Sequence, residues 1–115
     1  MNMTSVTTFD EQVPLLIRNL ENCLRSGYSV FQCFEIIAKD MPEPVRSDAQ
    51  WIVDEVTGGK SWPDVLDNWL TRTPSHDLDL VVATIRVQLE IGGNLADKLN
   101  LLGQIIAKRK YSAKR

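Results

Sequence analysis

Three times along this chain a glycine is followed at fixed offsets of two, three and seven residues by a capping side chain and two apolar residues. The sets are Gly27, Ser29, Val30, Phe34; Gly59, Ser61, Trp62, Leu66; and Gly92, Asn94, Leu95, Leu99. Glycine ends a helix because it enters the left-handed region without a steric penalty. Ser or Asn opens the next helix because its side-chain oxygen accepts from the free N–H groups of the first turn. Two apolar residues four apart then share one helix face. This grammar predicts three helical hairpins. The glycines lie 32 and 33 residues apart, the range of helical repeat arrays, so a short solenoid competes with a compact bundle. The remaining positions do not match from unit to unit, and the bundle is the expectation.

The segments between these turns carry helical periodicity. Val13, Leu16, Ile17, Leu20 and Leu24 predict a first helix from about residue 10 to 26, with Pro14 tolerated in its opening turn. Val30, Phe34, Ile37, Ala38 and Met41 form the apolar face of a second helix, stopped by Pro42 and Pro44. Val45, Ala49, Ile52, Val53 and Val56 mark a third; Trp62, Leu66, Trp69 and Leu70 a fourth; Leu95, Leu99, Leu102 and Ile106 a sixth. No run of period-two alternation and no Asn-Gly or Asp-Gly hairpin turn competes with them. The fold class is all-α: a compact bundle of about six helices arranged as three antiparallel hairpins.

The fifth helix, about residues 76–91, is apolar on two sides. Leu78, Val81, Val82, Ile85 and Leu89 form one face, and Leu80, Ala83, Val87 and Ile91 form another almost opposite. A helix of this kind is buried centrally or holds an interface. The expectation is that it is the most buried helix of the six, with Leu80, Ala83, Val87 and Ile91 as the candidate interface.

The chain has 115 residues, one domain's length, and a net charge of −2 that hides a polarity. Residues 1–107 hold 8 Lys and Arg against 15 Asp and Glu, whereas Lys108, Arg109, Lys110, Lys114 and Arg115 follow with no acid. The acidic body argues against nucleic acid, which normally needs a basic face on the fold. The basic end is what flanks the cytoplasmic side of a membrane helix, where anionic headgroups attract it. The expected organisation is therefore a flexible tail over 1–9, a six-helix domain over 10–107 and a basic juxtamembrane tail over 108–115. No segment approaches the roughly 20 apolar residues of a membrane span, and the N-terminus lacks the features of a secretory signal.

Chemistry at a site finds little support. His76, the one histidine, stands beside Asp77 and Asp79 in a helix's opening turn, a solvent-facing or capping position. Cys23 and Cys33 lack metal-ligand spacing and read as free thiols. The acidic groups Asp54-Glu55 and Asp64/Asp67 have helix-surface spacing and not the loop spacing of a cation site. The glycine pairs follow helices and lack a phosphate loop's Lys-Ser/Thr. No catalytic residue, cofactor or metal ligand is assigned. Gly27, Ser29, Gly59, Ser61, Gly92, Gly93, Asn94 and Leu95 are read as structural turn residues.

From Leu24 to Arg109 the chain resembles the cytoplasmic domain of the type II secretion system F family. The residues that carry the likeness are Leu24-Arg25-Ser26-Gly27-Tyr28-Ser29, Gly59-Lys60-Ser61 with Val65-Leu66, and Asp77-Leu78 leading to Ala83. The strongest is Gln88-Leu89-Glu90-Ile91-Gly92-Gly93-Asn94-Leu95-Ala96-Asp97. Short connections and the Gly-Gly-Asn-Leu form are most similar to the Tad (tight adherence) pilus branch. The resemblance implies a non-enzymatic cytoplasmic domain of an inner-membrane platform protein, coupling a secretion ATPase to pilus or pseudopilus assembly and protein secretion. It implies as partners that ATPase, other platform subunits, pilin subunits and homo- or hetero-oligomeric copies, with the anionic membrane meeting the C-terminal tail. A free-standing helical-hairpin adaptor is the alternative.

Overall fold

The computed structural model describes residues 8–113. Six helices follow in order: α1 (Phe9–Arg25), α2 (Val30–Asp40), α3 (Val45–Thr57), α4 (Trp62–Arg72), α5 (His76–Ile91) and α6 (Leu95–Ala113). Among the described residues there is no strand, and the helices pack as one bundle around one apolar core. Residues 1–7 of the expected tail, and Lys114 and Arg115, lie outside the described residues.

Capping fixes most of the helix starts. Ser29 opens α2 in a capping box: its hydroxyl accepts from the Gln32 N–H at 3.1 Å, and the Gln32 amide accepts from the Ser29 N–H at 3.0 Å. Ser61 and Ser75 accept from the third backbone N–H of α4 and α5 in the same way. Thr8 and Glu11 form a further capping box at α1, so that helix starts within the segment expected to be a tail. α3 lacks a side-chain bond from its own cap residue. The neighbouring Glu43 carboxylate replaces it, accepting from the Ser47 hydroxyl at 2.7 Å and the Ser47 N–H at 2.9 Å. Those bonds hold the Glu43 carboxyl below the usual carboxylate range.

The expected faces point inward. Phe34, Ile37 and Met41 of the second segment are buried, as are Ala49 and Ile52 of α3, Leu66 and Trp69 of α4, and all of Leu95, Leu99, Leu102 and Ile106 in α6. The aromatic centre is Trp69, set edge-on to Phe34 at 5.7 Å and to Phe9 at 6.2 Å between ring centroids.

Two expectations about packing change. The broadest contacts run between α1 and α6 and between α2 and α3, both between the glycine-turn hairpins, and the contacts within those hairpins are narrower. The helix with most neighbours is α1, which touches α2, α3, α5 and α6. α5 buries only its Leu78, Val81, Val82 and Ile85 side. The expectation that α5 is the most buried helix is thus corrected: Leu89, Ala83, Val87 and Ile91 are exposed, and of the second apolar face only Leu80 packs partly against the core.

The α1/α6 pair is antiparallel. Arg25 reaches Asp97 at 3.0 Å, and the Asn100 amide donates to Glu21 at 3.1 Å. Further along, Gly103 faces Ile17, where an added Cβ would stand 3.4 Å from Ile17 Cγ2. A glycine inside a helix costs about 1 kcal/mol relative to alanine, and a Cβ here would stand at the inner edge of ordinary van der Waals contact with Ile17.

Two polar residues that the periodicity left unassigned lock the core. Gln12 of α1 is buried; its amide donates to the Glu43 carbonyl at 3.0 Å and accepts from the Val45 N–H at 3.1 Å, pinning the α2–α3 connection to α1. Asp48 of α3 is buried and accepts from Trp69 Nε1 at 2.9 Å, Thr73 Oγ1 at 2.6 Å and Arg72 Nε at 3.3 Å. The Arg72 guanidinium also lies over the Trp51 ring, 5.1 Å from its centroid.

Candidate functional site: the outer face of α5 and α6

The outward face of α5 comes from its sequence: at 100° per residue, Leu80, Ala83, Val87 and Ile91 fall within about 80° of one another. Val87 is 43% exposed and Ile91 79%, while Leu80 is half-buried. α6 extends this face with Leu101 (58% exposed) and Ile105 (52%). Between the two helices lies a groove of about 380 Å³ lined by Ala83, Thr84, Val87, Lys98, Leu101, Leu102 and Ile105. Of the four candidate interface residues, Ala83 and Val87 line the α5 wall of this groove, and Leu80 and Ile91 lie outside it. Periodicity missed the other wall; the signal that could have found it is the doublets Leu101-Leu102 and Ile105-Ile106, whose second members are buried and whose first members face outward.

The turn at one end of the groove uses Gly92, Gly93 and Asn94 as scaffold. Gly92 and Gly93 have φ of +88° and +111°. Gln88 Nε2 donates to the Gly93 carbonyl at 2.6 Å, and Asn94 Oδ1 accepts from the Asp97 N–H at 3.0 Å to start α6. Gln88 Oε1 is buried with no hydrogen-bond partner among the described residues. A Cβ at Gly92 would meet nothing within 4 Å, so Gly92→Ala should destabilise through backbone conformation alone, by about 1 kcal/mol. Chemical denaturation checks this; an unchanged midpoint would show that the turn tolerates a side chain. Beside this turn, Leu24, Ser29 and Val30 share a shallow cavity with Gln88, Gly93, Asn94, Leu95 and Ala96. The fold thus brings together two of the stretches that carry the family resemblance. Gly27 and Gly59 close α1 and α3 at the corresponding turns, and Ser61 caps α4.

The basic residues do not all stand free. α6 continues through Ala113, so Lys108 and Arg109 are on a helix. Arg109 donates to the Asp77 carboxylate at 2.5 Å, and Asp77 is buried. Lys108 is exposed. The side chain of Lys110 lies outside the described residues.

His76 is exposed. Burial beside Cys23 pushes the Cys33 thiol up to about 12, which keeps it protonated and a poor nucleophile at neutral pH. Among the described residues no three His, Cys, Asp or Glu side chains converge to hold a metal ion, and no helix is long and apolar enough to cross a membrane.

An all-helical domain whose conspicuous feature is an uncovered apolar face belongs to the class of domains that present surfaces. Residues 16–115 match the family described as type II secretion system, protein F, and the chain belongs to that family. It is accordingly a domain of a secretion or pilus platform protein, in a family associated with the inner membrane. Neither a curated protein nor a solved structure matches the chain significantly.

Proposed function

We propose that this domain is the non-enzymatic cytoplasmic interaction module of an inner-membrane platform, coupling a secretion ATPase to pilus or pseudopilus assembly, and that it belongs to the Tad pilus branch. The observation that carries the reading is the uncovered apolar face of α5 and α6 in a member of this family. Contiguous exposed apolar surface on a folded domain marks an interaction site. Other platform subunits, pilin subunits or further copies of the domain are partners of the same reading. Capture of the secretion ATPase from the same genome by the immobilised domain tests it. Val87→Asp should weaken capture at least tenfold; capture unaffected by Val87→Asp and Ala83→Asp would remove this face from the function. A reading frame that stops at Arg115 without hydrophobic spans would favour a free-standing adaptor.

The basic segment Lys108, Arg109, Lys110, Lys114 and Arg115 is, on this reading, the approach to the bilayer. Each cation near an anionic surface contributes about 1 kcal/mol, weakening as salt rises. Lys108→Gln combined with Lys110→Gln should therefore reduce binding to phosphatidylglycerol vesicles by more than tenfold at low salt, with the helical signal unchanged. Arg109 is left intact because it pairs with buried Asp77. Equal vesicle binding by parent and variant would remove the membrane role of this end.

A further inference from the structure

The outer sides of α5 and α6 each carry the seam of a helix bundle. On α5 it is Leu80, Ala83, Val87 and Ile91; on α6 it is Lys98, Leu101, Ile105 and Lys108, at spacings of three and four residues, the periodicity by which antiparallel bundles close. The two helices are antiparallel neighbours, joined by the Gly92 turn and tied at the far end by Arg109 to Asp77. They are half of a four-helix ring. At 100° per residue, Asp79 and Glu90 stand beside Ala83 on the edge of α5 away from α6, the edge from which Arg86 reaches Asp67 of α4. Lys108 stands about 20° from Leu101, toward the edge of α6 away from α5. Asp79, Glu90, Lys98 and Lys108 are exposed, and among the described residues none has an ion-pair partner. Their heights match. Asp79 lies twelve residues before Ile91 and Lys108 thirteen after Leu95, each about 18–20 Å from the turn, whereas Glu90 and Lys98 lie within one helical turn of it.

We propose that this face receives a second copy of the chain about a two-fold axis parallel to the helices, closing an antiparallel four-helix ring of α5, α6 and their counterparts. This deepens the reading of the domain as an interaction module and rests on it. The two-fold lays α5 of one copy beside α6 of the other, antiparallel and at the same height. Ala83 and Val87 then meet Leu101 and Ile105 of the second copy, and Asp79 meets its Lys108 at the far end. At the turn end Glu90 meets Lys98 together with the Arg25–Asp97 pair, a group with a net positive charge. The charges choose this axis. A two-fold perpendicular to the helices lays α5 on α5 and α6 on α6, setting Asp79 against Glu90 and Lys98 against Lys108, and like charges in direct apposition oppose association. An anionic bilayer as occupant would meet Asp79 and Glu90. With α5 about 24 Å long, the face is small beside the interfaces of tight dimers, so association is expected in the micromolar range.

Sedimentation equilibrium of the chain at low salt should show a monomer–dimer equilibrium that Leu101→Asp abolishes. Lys108→Glu and Asp79→Lys should each weaken it about tenfold, because each sets like charges together at two symmetry-related places. An equimolar mixture of those two variants should associate as tightly as the parent, since the mixed dimer pairs Asp79 of one chain with Lys108 of the other and the two replaced residues with each other. All three positions are exposed, and far-UV circular dichroism and melting confirm that the variants stay folded. The perpendicular axis predicts the opposite sign for Lys108→Glu, which there faces Lys98 and tightens the dimer. Tightening by Lys108→Glu, or a mixture that associates no better than its components, would overturn the proposal. So would a parent that stays monomeric at submillimolar concentration, whether or not vesicles or a further protein take up the face. The two readings fail separately. If the parent is monomeric while Val87→Asp still loses the secretion ATPase, the second copy is wrong and the interaction module stands. If Leu101→Asp dissolves the dimer while Val87→Asp and Ala83→Asp both keep the ATPase, the dimer stands and the face has no part in capture.

Discussion

Trp69→Ala should cost about 4 kcal/mol of folding stability, the largest effect expected of any single replacement in this domain. The indole is buried, with its ring edge-on to both Phe9 and Phe34. Its removal leaves a cavity where α1, α2 and α4 meet, and the loss compares with a total stability of about 5–15 kcal/mol for a domain. Trp69→Phe separates two contributions. It retains most of the apolar volume but deletes the N–H that donates to Asp48, and should cost about 1–2 kcal/mol. Urea unfolding followed by circular dichroism measures both. A loss below about 1.5 kcal/mol for Trp69→Ala would show that neighbouring side chains collapse into the space.

Asp48→Ala should cost about 3 kcal/mol, because it strips the buried indole N–H of Trp69 and the hydroxyl of Thr73 of their acceptor and leaves Arg72 without its carboxylate. Asp48→Asn keeps one acceptor oxygen and should cost about half as much. The Asp48→Ala and Trp69→Phe changes share one hydrogen bond, so the double variant should be less destabilised than the sum by about 1 kcal/mol. Strict additivity in the same urea series would mean that the carboxylate and the indole stabilise the domain independently.

The helices and their turns were legible because their signals are local. Ser29, Ser61 and Asn94 each cap within three residues of themselves, and Leu95, Leu99, Leu102 and Ile106 each repeat within one turn. The core locks were not, since Gln12 meets a connection 31 to 33 residues away and Asp48 meets α4 across 21 to 25. An isolated Gln or Asp in an amphipathic helix gives no sign of such partners. The outward face was half legible. Leu80, Ala83, Val87 and Ile91 stood out as a second apolar stripe, but periodicity does not tell whether such a stripe is covered by the same chain. Only the packing of α1, and not α5, at the centre decided that. Leu101 and Ile105 hid within doublets whose neighbours Leu102 and Ile106 already satisfied the helical pattern. Arg109 was missed as an anchor because its partner Asp77 lies a whole hairpin earlier.

The antiparallel register of α1 against α6 gives the domain a root and a tip. Arg25 meets Asp97 near one pole, so the start of α1 and the end of α6 emerge together at the other. The turns at Gly27 and Gly92 lie together at the pole where Arg25 meets Asp97, their flanking residues Ser29 and Gly93 lining one shallow cavity. The first turn of α1 and the last of α6 therefore share the root, and the turns at Gly27 and Gly92 stand at the opposite end. The seam where Gly103 of α6 faces Ile17 of α1 thus joins the helix at the centre of the bundle to the one that ends beside its start.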